Sequence, residues 1–139
     1  MATMQPDRLE HIVHEALTIG DVQSAALFAV AASGALELAA AAGIEGAPLA
    51  GLVAAVQQPM HPVARAVTDP GPTFDVRPMN PGGPALRAHL PLRAAGDSAR
   101  TLGVLALAYD QPFAAVERQR AIEAAAAAAR VLASDGAGS

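Results

Sequence analysis

The sequence predicts an α+β domain in three layers. An antiparallel sheet lies between two terminal helices on one face and a lid of short helices and loops on the other. Three observations carry this expectation. Residues 24–42 and 86–109 each read as a strand, a turn and a returning strand. The last strand, Thr101 to Tyr109, is apolar on both faces, so it belongs inside a sheet that is covered on both sides. Helical patterns stand at both ends of the chain. At 139 residues the chain is read as one domain, 1–139, with a core over about 6–134 and a frayed tail at 135–139.

Pro6 and Asp7 open the first helix, in which Leu9, Ile12, Val13, Ala16 and Leu17 recur on one face. Glu10, His11, His14 and Glu15 occupy the other face, and Gly20 is the expected stop. In the first hairpin Leu27, Phe28 and Val30 supply strand propensity and Ser33-Gly34 the turn. Leu36 and Leu38 share a face of the return strand. Alanine would be equally at home in a helix here, and Gly34 decides for the hairpin. Leu49, Leu52, Val53 and Val56 then repeat at helical spacing behind Pro48, and Pro59 ends that helix. A second short helix is expected from Pro62 to Thr68. Residues 69–84 hold five prolines and form the densest loop, with a short strand expected over Thr73–Arg77.

In the second hairpin Leu86, Ala88, Leu90 and Leu92 point one way and Arg87, His89, Pro91 and Arg93 the other. Pro91 cannot donate to a ladder and marks an edge or a bulge. Leu102, Val104, Ala106 and Ala108 oppose Gly103, Leu105, Leu107 and Tyr109 across the final strand. Gln111 and Pro112 lead into an alanine-rich helix of about 20 residues, where Ala115, Ile122, Ala125, Ala126, Ala129 and Leu132 form a stripe of mostly small side chains. There is no internal repeat.

Composition narrows the function. The apolar fraction is 53%, but 36 of those residues are alanine, each of which buries little area. The formal charge of −4 is spread over both signs, with no basic stripe, and 3 Phe, 1 Tyr and no Trp leave little to stack on bases. Nucleic-acid binding is therefore not expected. Without cysteine there is no disulfide, thiolate nucleophile or Cys-based zinc site, which fits a cytoplasmic location. No signal peptide or membrane span is read. No phosphate-binding, dinucleotide-binding or nucleophile-elbow motif occurs.

Three stretches resemble the GAF family over about residues 6–134. SAALFAVAASGALELAAAAG resembles its opening hairpin. HPVARAVTDPGPTFDV resembles its short helix and following strand. HLPLRAAGDSARTLGVLALAYDQPF resembles its most recognisable hairpin, with Pro91-Leu92 and Gly103-Val104-Leu105 in characteristic places. The resemblance implies a GAF/PAS-like, profilin-like sheet. It further implies a sensory or regulatory module, often coupled to an output domain or partner protein, and a homodimer through the terminal helices. Ala32 and Ser33 stand where the family often has an acidic or amide residue, and the cyclic-nucleotide signature is missing. Covalent bilin attachment and free methionine sulfoxide reduction both need cysteine, so neither is expected. The identity of any cofactor stays open.

In this family the ligand pocket lies on the lid side of the sheet, which marks Arg87 and His89 as binders of an anionic ligand, with Phe74 and Met79 as an apolar wall. The competing reading is an exposed or self-paired strand face. His11, His14 and Glu15 have the spacing of a helical metal pair but read more simply as a solvated face. His61, just before Pro62, is either a ligand-polarising or haem-binding group or a cap. Asp69, Asp75, Asp97 and Asp110 are explained by turn chemistry. No catalytic residue is assigned. Two functions are carried forward: a ligand-sensing dimer, and a pure interaction module of GAF type with a collapsed pocket or of roadblock type. A small enzyme using His89 and a carboxylate is the least favoured.

Overall fold

The computed structural model describes residues 6–68, 71–75, 86–94 and 97–137. The chain runs α1 (Pro6–Ala16), β1 (Val22–Val30), β2 (Leu36–Ala42), α2 (Gly46–Ala55), α3 (Pro62–Ala66), β3 (Thr73–Phe74), β4 (Leu86–Ala94), β5 (Asp97–Tyr109) and α4 (Ala115–Ala137). The five strands pair antiparallel in the order β2-β1-β5-β4-β3. β5 is thus central, as its two apolar faces require. α1 and α4 cover one face, and α2 and α3 stand on the other.

The terminal-helix face carries the larger core. Leu9, Val13 and Ala16 of α1 and Ala121, Ala125 and Ala128 of α4 meet Leu27, Leu86, Leu90, Leu92, Leu105 and Leu107 of the sheet. Large leucines on the strands opposite alanines on α4 let the helix lie close. On the lid face a smaller group, Phe28, Leu36, Val56, Val63, Ala66 and Val104, is sealed under α2 and α3. Among the described residues no helix is long and apolar enough to cross a membrane.

Several local expectations shift. α1 ends at Ala16 rather than Gly20. The amides of Leu17, Thr18 and Ile19 bond to carbonyls three residues back, at 3.2, 3.0 and 3.1 Å, so the last turn tightens before Gly20 (φ +50) redirects the chain. The first hairpin is a hairpin: Gly34 adopts φ +90, which only glycine takes readily, and Ala31 brackets the turn with bonds to Gly34 and Ala35. Leu102 leaves the face of Val104, because the β4–β5 register slips between Leu92 and Arg93, and it packs with the terminal-helix core. Pro91 sits beyond the last β3 pairing, at His89, and one residue before that slip. Of the strand expected over Thr73–Arg77, Thr73–Phe74 is present, Asp75 continues its bonding to β4, and residues 76–77 lie outside the described segments. The alanine stripe of α4 splits. Ala125 and Ala129 are buried against the sheet while Ala115, Ile122 and Ala126 are exposed; consecutive residues such as Ala125 and Ala126 stand about 100° apart around a helix, so both cannot face the sheet. α4 also continues to Ala137, into the stretch expected to be a frayed tail.

Candidate functional site: a cleft between the sheet and the lid

The register of three strands builds a shallow floor. Arg87, Ala108 and Ser24 form one cross-strand row, and His89, Ala106 and Ala26 form the next. Side chains paired across a sheet share a face. Four of these six are Ala or Ser, too short to reach the lid, while Arg87 and His89 rise along one edge. The following row, Pro91, Val104 and Phe28, is bulky and closes that end. Ile44, Pro48, Leu52, His61, Pro62 and Val63 wall the space from the lid side, leaving a cleft of about 350 Å³. Its described lining includes one guanidinium, two imidazoles and a hydroxyl, and no carboxylate.

His61 lies between α2 and α3, at the start of α3. Its backbone is extended (φ −64, ψ 139), so it caps α3, and its Nδ1 accepts the backbone N–H of Val63 at 3.1 Å. Pro62 follows in the first helical turn, where its missing N–H costs nothing. An imidazole that accepts at Nδ1 carries its proton on Nε2. Burial, and then the positive charge of Arg87, hold the His61 pKa below its ordinary value of 6.5. The capping reading of His61 is therefore the observed one, and the same residue also borders the cleft.

Arg87 is held from below. Its N–H donates to Asp75 Oδ2 at 3.1 Å, and its carbonyl accepts the Asp75 N–H at 2.9 Å. The Tyr109 hydroxyl donates to the carbonyls of Asp75 (2.9 Å) and Arg87 (3.3 Å). Tyr109 stacks on Phe113 with centroids 4.1 Å apart, immediately ahead of α4. Asp75 thus does more than make a turn. No short-range spacing could have revealed this, because its partners are 12 and 34 residues away.

The structure brings Arg87 and His89 together at one cleft and adds His61 and Ser24. It does not bring Phe74 there. Phe74 pairs with Ala88 and so shares the terminal-helix face, where its ring lies 5.9 Å from Phe113 with the Arg118 guanidinium 5.9 Å above it. Strand alternation accounts for this: Thr73, opposite His89, is the β3 residue on the cleft side. Met79 lies outside the described residues. Arg93, from the same strand face, is engaged by Thr101, whose hydroxyl accepts from Arg93 Nη1 at 2.5 Å and donates to the Val67 carbonyl at 2.7 Å. His11 and His14 do not converge on a common point. They pair separately with Glu15 (3.2 Å) and Glu10 (3.7 Å) on an exposed face.

This architecture is the GAF fold. It is similar to the GAF domain of a phosphoenolpyruvate-protein phosphotransferase from Coxiella burnetii, with a TM-score of 0.75 at 16% identity over 96% of this chain and 84% of that one. The GAF-B domain of DevS from Mycobacterium smegmatis matches with a TM-score of 0.66 at 22% identity over 96% and 97% of the two chains. A type II free methionine-R-sulfoxide reductase from Thermoplasma acidophilum matches with a TM-score of 0.69 at 11% identity over 91% and 90%. No family model matches the sequence, and no curated protein matches it. Such a divergence suits a fold whose strands are specified by apolar alternation, which many sequences satisfy.

Proposed function

We propose that the chain is a non-catalytic regulatory module that binds a small molecule in the cleft on Arg87 and His89 and works as a homodimer through its terminal helices. The observation that carries this reading is the floor of short side chains under a lid, edged by Arg87 and His89. A core built only for packing would fill that volume, as the bulky row one step along the strands does. The cysteine-free sequence supports binding over thiol chemistry. The exposed Val116 and Ile122 of α4 support the dimer, with relative accessibilities of 66% and 39%. Signalling follows if the ligand favours one arrangement of the lid or of the terminal helices, since a ligand shifts only states that it binds unequally. A cytoplasmic location and an output domain or partner protein complete the reading.

Native mass spectrometry of protein purified from its own host tests it. The expected result is a dimer with a co-purifying small molecule that is lost from His89→Ala. A chain that stays bare across growth conditions would reject the sensing role. Ile122→Glu is expected to give monomers by sedimentation, and a monomeric parent chain would reject the dimer.

A further inference from the structure

We propose that the cleft selects an aliphatic carboxylate and that its binding is linked to protonation of His61, which releases the cap on α3. This rests on the sensing function proposed above and assigns it a ligand class and a moving part.

The ligand class follows from what lines the cleft. Ile44, Pro48, Leu52 and Val63 form an aliphatic body, and none of the described lining residues is Phe, Tyr or Trp, so a large planar ring system finds no stacking surface. The polar groups gather on the β4 edge and the start of α3: Arg87, His89 and His61, with Ser24 across the floor. A guanidinium and two imidazoles on one side of an aliphatic cleft can together hold a negative head group by charge-assisted hydrogen bonds. The volume of about 350 Å³ is within the range of small-ligand sites and accommodates a medium-length chain.

The moving part follows from the cap. In neutral His61 the Nδ1 lone pair holds the Val63 amide. Once protonated, Nδ1 becomes a donor and that bond is lost. The charged or titratable groups of the described cleft lining that face His61 are Arg87 and His89, both on β4; β1, β5 and α2 contribute none there. The positive Arg87 opposes a second positive charge at His61. A carboxylate beside Arg87 cancels that repulsion and rewards the imidazolium directly. Binding therefore takes up a proton, and the imidazolium trades its bond to Val63 for the ligand oxygen. Val63 is buried and α3 packs over β4 and β5, so freeing its first turn loosens the lid from the sheet.

The test is an NMR titration of the His61 imidazole in the whole chain, with amide exchange read at Val63. In the free protein Val63 exchange is expected to quicken about tenfold as His61 titrates, the worth of one modest hydrogen bond. Sodium octanoate is expected to raise the His61 midpoint by about one unit, as a nearby opposite charge does. Octan-1-ol, uncharged and of equal length, is expected to leave it in place, and Arg87→Gln is expected to abolish the octanoate effect. His61→Asn, which caps without titrating, is expected to bind octanoate without the change at Val63. Octanoate that does not bind, or that acts no differently from octan-1-ol, overturns the ligand class. Val63 exchange that ignores the His61 titration overturns the latch. Either failure leaves the sensing function standing if another molecule co-purifies with the wild type and is lost from His89→Ala.

Discussion

The two faces of the sheet are built to different standards. The terminal-helix core contains 22 of the buried residues described and the lid core only seven. α1 and α4 bury a continuous face, whereas α2 buries no residue within its length and contacts the sheet chiefly through the half-buried Leu52 and Val53, with Val56 just beyond its end. The lid is held to the sheet instead by a few point attachments: Gln57 Nε2 donating to the Leu36 carbonyl at 2.8 Å, and the Thr101 hydroxyl donating to the Val67 carbonyl at 2.7 Å. Elements with few buried apolar contacts open at lower free energy than the core of the same domain. The difference teaches that one face maintains the fold while the other is the face that opens at lower free energy.

Three substitutions sharpen this contrast, in falling order of effect. Gly103→Ala strikes the shared foundation. A Cβ there would stand 2.1 Å from the Phe28 carbonyl oxygen of the neighbouring strand, so β1 and β5 must part. Its cost is expected to exceed the roughly 1–3 kcal/mol of ordinary overpacking, read as loss of the cooperative urea transition. Leu105→Ala, fully buried on the terminal-helix face, is expected to lower stability by about 2–5 kcal/mol. Leu52→Ala, half-buried beside the cleft, is expected to cost below about 1 kcal/mol. Equal losses from Leu105→Ala and Leu52→Ala would break the distinction between the faces.

Most of the fold was legible because period-two alternation and turn glycines are local signals. Leu86, Ala88, Leu90 and Leu92 could be assigned to one face from the sequence, and Arg87 and His89 to the other. What could not be read depended on register. Phe74 was placed on the wrong face because its side is set by pairing with Ala88, not by its neighbours in sequence. The hollow floor needed Ser24, Ala26, Ala106 and Ala108 to align across three strands, which no single segment discloses. Asp75 escaped for the same reason: its carboxylate and carbonyl meet Arg87 and Tyr109 only after the strands pair.

Tyr109 joins the two faces, and it yields the finest test. Its ring is buried in the terminal-helix core, while its hydroxyl bonds to the backbone that carries Arg87. Burial, and then the negative charge of Asp75, push its pKa up to about 12 from the ordinary 10.0. A raised folded-state pKa means that this contribution to stability is whole below pH 10.0 and is lost as pH climbs toward about 12. Tyr109→Phe keeps the stacking on Phe113 and removes only the hydroxyl. At neutral pH it is expected to cost about 1 kcal/mol, the net worth of a typical hydrogen bond. Wild type should lose stability relative to the variant between pH 10 and about 12, narrowing the gap between them. Parallel stability curves through that window would mean that the hydroxyl is not held as described, and that Arg87 is positioned by Asp75 alone.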